Sequence, residues 1–101
     1  MDGDNMANPE HLATVKRGVE AWNDWRKQNP EIKPDLRRAD LREAGLRGAH
    51  LDGADLQRAN LRYGQLSRCD LTGAKLTGAK LYATARDDWG IRGTDPSLGQ
   101  S

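Results

Sequence analysis

Few side chains in this 101-residue sequence are suited to chemistry: two histidines, His11 and His50, one cysteine, Cys69, and a set of regularly placed carboxylates. Covalent or acid–base catalysis needs a nucleophile, a base and an acid that converge in one cleft. The two histidines are expected on different elements, and the carboxylates are spread rather than convergent. Asp35, Asp40, Asp55, Asn60 and Asp70 each stand directly before a leucine. Asp and Asn at such positions hydrogen-bond nearby backbone amides at corners, a reading favoured over metal binding, because no His or Cys cluster accompanies them. Gly48, Gly53, Gly73 and Gly78 are expected at corners that need a positive φ. A phosphate-cradling loop groups its glycines at a helix start, and these are dispersed. Cys69 reads as a small core residue, with a reactive thiol as the alternative. No catalytic, cofactor or metal residue is assigned, and the chain is expected not to be an enzyme.

The elements that must position these residues come from one repeat. Leu36, Leu41, Leu46, Leu51, Leu56, Leu61, Leu66, Leu71, Leu76 and Leu81 recur every fifth residue. Two positions before them stand Pro34, Ala39, Ala44, Ala49, Ala54, Ala59, Gly64, Cys69, Ala74 and Ala79. On an α-helix, leucines five apart would step ~140° around the axis and cover every side. In a flat strand they would point to opposite faces in turn. The pattern fits a chain that corners once per repeat. The small residue and the leucine two later then face inward together, and successive units stack as a solenoid.

Ala39-Asp40-Leu41, Ala54-Asp55-Leu56, Ala59-Asn60-Leu61 and Cys69-Asp70-Leu71, with Ala74-Lys75-Leu76 and Ala79-Lys80-Leu81 more loosely, resemble the A(D/N)LXX consensus of the pentapeptide-repeat family. The resemblance implies a mainly β fold: a short right-handed quadrilateral β-helix, twenty residues per coil, with an N-terminal α-helix cap. Residues 34–83 would make about two and a half coils, a stub little more than ~10 Å tall at an inter-strand spacing of ~4.8 Å.

The flanks divide the chain further. Residues 1–8 are polar and expected to be a disordered tail. Residues 9–33 are expected to be a capping helix and linker. Asn8-Pro9 starts a helix over roughly 9–28, and Leu12, Val15, Val19, Trp22 and Trp25 form its apolar stripe. An uncapped solenoid end exposes apolar side chains and unpaired backbone groups. Trp22 and Trp25 are therefore read as a lid, with a ligand or partner surface as the alternative, and Ile32 is expected to extend it. Residues 84–101 are expected to be a C-terminal cap or tail. Either a loop carrying Trp89 and Ile91 covers the lower end of the column, or a second copy does, making a homodimer through that end.

Nothing in the sequence spans a membrane or reads as a secretory leader, so the cytoplasm is the expected compartment. Net charge is +1, but residues 34–83 carry nine basic and six acidic side chains, a net of +3. Four repeats per coil would stack Arg38 over Arg58 and Arg42 over Arg62, with Arg37 and Tyr63 beside them. These six residues are the candidate interaction surface, with a solvated face screened by local ion pairs as the alternative. The expected function is a non-enzymatic protein-interaction or scaffold module whose partner the sequence does not name. The leading segment also resembles the lead-in of bacterial pentapeptide-repeat proteins. Nucleic-acid or other anion binding through the arginine edge is the second reading, weakened by a pI near 7.9 and by aromatics that are not interleaved along the edge. Some members of the family bind DNA gyrase by imitating duplex DNA. That role asks for a long acidic rod and is the least favoured.

Overall fold

The computed structural model describes residues 6–82. Two short helices, α1 (Pro9–Lys16) and α2 (Val19–Gln28), lead into the repeat. From Asp35 onward the chain coils, and parallel bridges join residues twenty apart: Asp35 to Asp55, Asp40 to Asn60, Gly45 to Gln65, His50 to Asp70, Asp55 to Lys75 and Asn60 to Lys80. Four repeats therefore complete one turn, as the resemblance implied. Each side of the coil contributes a single bridge residue, so no extended strand forms among the described residues.

Accounting for the backbone amides explains why the unit is five residues long. Three amides per repeat reach a neighbouring coil. Leu36 donates to the Asp55 carbonyl at 2.8 Å, Arg38 to Gln57 at 2.9 Å, and Asp55 to Pro34 at 2.9 Å. A fourth closes the corner within its own repeat, as Ala39 does on Leu36 at 3.1 Å. The fifth, just after the leucine, turns to the Asp or Asn side chain two residues back. Asp35 accepts from the Arg37 amide, Asp40 from Arg42, Asp55 from Gln57, Asn60 from Arg62 and Asp70 from Thr72, at 3.0–3.3 Å. A buried or half-buried amide must find a partner, and this is the physical content of the polar residue before leucine.

The corner has a second requirement. The residue two after each leucine lies in left-handed backbone from Arg38 to Gly78, with φ between 58° and 76°. Gly48, Gly53, Gly73 and Gly78 meet this as expected. The same conformation at Arg38, Glu43, Arg58, Tyr63 and Arg68 was not foreseen. Side chains there strain the backbone by roughly 1 kcal/mol each.

Inside, all ten leucines are buried, none more than 7% exposed. Among the small residues Ala39, Ala49, Ala54, Ala59, Cys69 and Ala79 are buried with them, while Ala44 and Ala74 are half-buried. A Cβ on Gly64 would stand 3.2 Å from the backbone oxygens of both Ala44 and Leu61, so this inward position takes glycine.

The lid differs from the single helix expected over 9–28. The chain breaks at Arg17-Gly18, where the Arg17 and Gly18 amides close on Thr14 and Val15 and Gly18 takes φ 117°. That conformation is open to glycine, and it re-aims α2 so that Val15 of α1 and Trp22 of α2 both bury against the column. Asn8 caps α1, its side chain accepting from the Glu10 and His11 amides. Ile32 does not extend the lid. It is 42% exposed, and its carbonyl instead accepts from Arg26.

The lid replaces a missing coil on two of the four sides. The Asp35 amide, which would otherwise meet a carbonyl above, donates to His11 Nδ1 at 2.9 Å, and the Asp35 carbonyl accepts from the Asn8 amide at 3.0 Å. On the neighbouring side, the His50 amide donates to Asn23 Oδ1 at 2.8 Å. The His50 carbonyl accepts from Trp22 Nε1 at 2.9 Å and from Arg26 Nε, while Arg26 Nη2 reaches the Asp52 carbonyl at 2.7 Å. Trp25 stacks on Trp22 with ring centroids 5.2 Å apart and is only half-buried. Of the three tryptophans read as a cap, Trp22 is buried in the core and Trp25 rests on it; Trp89 lies outside the described residues, as do residues 84–101 and 1–5.

Two measurements check this account. Leu56 is wholly buried in the middle of the column, so Leu56→Ala is expected to lower unfolding stability by about 2–5 kcal/mol in denaturant titration. His11 must be neutral at Nδ1 to accept the Asp35 amide. Burial lowers its pKa below the ordinary 6.5, against the opposing pull of the Asp35 and Glu10 carboxylates. The folded state therefore refuses a proton that the unfolded chain binds. The His11 contribution is complete above pH 6.5 and declines as pH falls below it. In His11→Gln, whose side-chain oxygen can accept the same amide, that component of the pH dependence is expected to vanish. Equal slopes in both proteins would reject the assignment.

Candidate interaction surface

The coil brings four of the six candidate surface residues into two vertical columns. Arg38 and Arg58 occupy one corner, one coil apart, with Gly78 below them. Arg42 and Arg62 stack just past the next leucines, and Tyr63 turns the corner after them. Arg37 joins the first group: together with Arg38, Gln57 and Arg58 it lines a depression of about 280 Å³.

The arginines are not equivalent. Arg37 is held by Asp35 through Nε at 2.8 Å and Nη2 at 3.0 Å. Arg42 is held the same way by Asp40, at 2.9 and 3.1 Å. These contacts hold both carboxyls below their usual range, for Asp35 against a smaller opposing effect of burial. Arg62 Nε leans on the neutral Asn60 at 3.1 Å. Arg38 and Arg58 are exposed, and among the described residues neither has a carboxylate within ion-pair distance. One corner thus presents two arginines, one coil apart, with no ion pair to a described residue. Asp35 pairs with Arg37 alone. Glu43 pairs with neither arginine column.

Tyr63 is 56% exposed and meets Tyr82, 72% exposed, edge to face with centroids 6.3 Å apart. Tyr82 was missed from the sequence, although twenty-residue spacing places it directly under Arg62. Arg26, which ties the lid to the coil through the His50 and Asp52 carbonyls, was also missed. It is 10% exposed and forms a 3.1 Å ion pair with Asp52 besides its backbone contacts. Its position on a helix gave no sign that it would serve as a backbone donor to the coil.

Two of the side chains with catalytic potential, His11 and Cys69, are occupied structurally, while His50 is exposed and, among the described residues, bonds through its backbone alone. His11 packs against Trp25 with centroids 4.8 Å apart, and its Nδ1 accepts the Asp35 amide. Cys69 is fully buried, and its thiol donates to the Leu46 carbonyl at 2.8 Å. Burial pushes its pKa up to about 11. Among the described residues no group of His, Cys, Asp or Glu is arranged to hold a metal ion. No described helix is long and apolar enough to cross a membrane.

A coil of four five-residue units with an inward leucine in each is the architecture of a repeat protein. The family model for pentapeptide repeats matches the chain in eight copies, over residues 35–73 and 49–84, and the protein belongs to that family. No curated protein and no solved structure matches it.

The Cys69 environment sets an expectation for labelling. At mildly alkaline pH a thiol reagent should modify the native protein only as fast as the column opens, and the denatured chain at once. Rapid labelling of folded protein would show the thiol to be reachable.

Proposed function

We propose that this chain is a non-enzymatic protein-interaction or scaffold module, built on a right-handed quadrilateral β-helix and working through its arginine corner. The observation that carries the reading is the placement of Arg38 and Arg58. Both stand in left-handed backbone that glycine adopts without strain, and four equivalent corners use glycine. Neither guanidinium is spent on an ion pair with a described residue. Strain of this kind clusters at functional sites. Arginine and tyrosine are also favoured anchors at interfaces, and Arg37, Arg42, Arg62 and Tyr63 adjoin the corner. The surface fits an acidic patch on a partner protein.

The second reading, binding of nucleic acid or another anion, gains something from the exposed Tyr63–Tyr82 pair beside Arg62, since arginine and stacked aromatics together favour single strands. It is set against a net charge of only +3 over residues 34–83. Salt-sensitive retention on heparin distinguishes the two. The same positive balance argues against imitation of duplex DNA.

Arg38→Gly/Arg58→Gly is the informative variant. Glycine relieves the left-handed strain, about 1 kcal/mol per site, partly offset by greater freedom in the unfolded chain. The melting temperature is expected to hold or rise while partners recovered by the wild type in affinity purification are lost. Recovery of the same partners by both proteins would leave the arginine corner as solvated surface.

A further inference from the structure

The two sides of the first coil that the lid leaves uncovered form a second, separate feature. Along 40–45, five backbone groups point up towards the position of a preceding coil: the amide and carbonyl of Asp40, the carbonyl of Arg42, and the amide and carbonyl of Gly45. One coil lower, the matching groups of Asn60, Arg62 and Gln65 bond to Ala39, Leu41, Glu43, Ala44 and Leu46. On the sides of Asp35 and His50 the lid supplies substitutes. Among the described residues nothing bonds to the five groups along 40–45. A cavity of about 610 Å³ opens over them, bounded above by Val15, Lys16 and Gly18 and lined below by Asp40, Arg42 and Gly45.

Gly45 supplies an independent observation. It is the one bridge position of the ten from Asp35 to Lys80 that carries no side chain. Its φ is not positive, so the backbone does not ask for glycine there, and a Cβ would meet nothing within 4 Å. Neither conformation nor packing accounts for it. A glycine in a sheet that neither demands is the mark of a place where another backbone approaches closely.

We propose that this open edge binds a short main-chain segment of a partner protein, laid parallel along 40–45 in the register that residues 60–65 hold on the opposite edge. The edge is continuous with the two sides that the lid already fills, and it presents the donors and acceptors that bind a strand one coil lower. Charges at the rim are mixed: Lys16 and Arg42 stand with Asp40 and Glu43. Recognition is therefore by backbone hydrogen bonds, the mode of strand addition to an exposed sheet edge. A whole coil of a second copy does not fit, because the helices stand over the other two sides. The segment turns one corner with the coil, which selects glycine or asparagine at its centre. This inference does not depend on the arginine corner.

The test uses the full chain and a pool of acetylated octapeptides, random except for one central glycine. Backbone amide exchange and chemical shifts are followed by NMR. The pool is expected to slow exchange at Asp40 and Gly45 by about tenfold and to shift their resonances, with the corner at Arg38 and Arg58 unmoved. Gly45→Trp projects a large side chain into open space at an ordinary φ. Its melting temperature should match the wild type while its Asp40 amide no longer responds to the pool. Arg38→Gly/Arg58→Gly should respond as the wild type does. Absence of any response at Asp40 and Gly45 in the wild type, or an undiminished response at Asp40 in Gly45→Trp, would overturn the proposal.

Discussion

The stacking of one coil's carbonyls on the next coil's amides is the interaction on which this protein depends. Each repeat commits three of its five amides to neighbours about twenty residues away. With a single bridge residue on each side, no single coil is self-sufficient, and each is held by its neighbours and by the shared leucine column. The left-handed corner follows from the same demand. The chain must turn sharply after each leucine so that the next small residue and leucine again face the axis.

The lid is best understood as a coil built from other materials. A helix has no backbone groups to spare in its middle, so α1 and α2 offer side chains: an imidazole nitrogen, an asparagine amide, an indole N–H and a guanidinium. These reproduce the donors and acceptors of a missing turn on the sides of Asp35 and His50. Apolar packing by Val15 and Trp22 alone would have covered the leucines and left those backbone groups unpaired beneath it.

Much of this was legible in the sequence because the repeat is local and redundant. The leucine period, the inward small residues and the bonds made by Asp and Asn at the corners each recur, and each has one physical explanation. What the repeat did not carry was harder to read. Gly18 looks like an interruption of a helical stripe until the need to bury both Val15 and Trp22 is known. His11 lies one residue before Leu12 and reads as polar surface, yet its ring is buried against Trp25 and closes a backbone amide. The left-handed conformation of Arg38, Glu43, Arg58, Tyr63 and Arg68 is masked because these residues ordinarily avoid it, and register with the four glycines was the one clue. In the candidate site, the stacking of Arg38 on Arg58 followed from twenty-residue spacing. Which arginines would be neutralised did not, because pairing is decided by the residue two before the arginine: Asp for Arg37 and Arg42, Asn for Arg62.

The parallel ladder also bears on how the molecule assembles. Every coil-to-coil bond closes a loop of about twenty residues, an entropic expense that must be met before any neighbour helps to offset it. The first turn is the hardest, and the contacts from Trp22, Asn23 and Arg26 to the stretch from Gly48 to Asp52 are the ones that hold it shut. Once that turn exists, each later repeat settles on a ready template and needs only its own five residues. The order of easiest addition thus runs from the amino end to the carboxyl end, the same direction in which a ribosome delivers the chain.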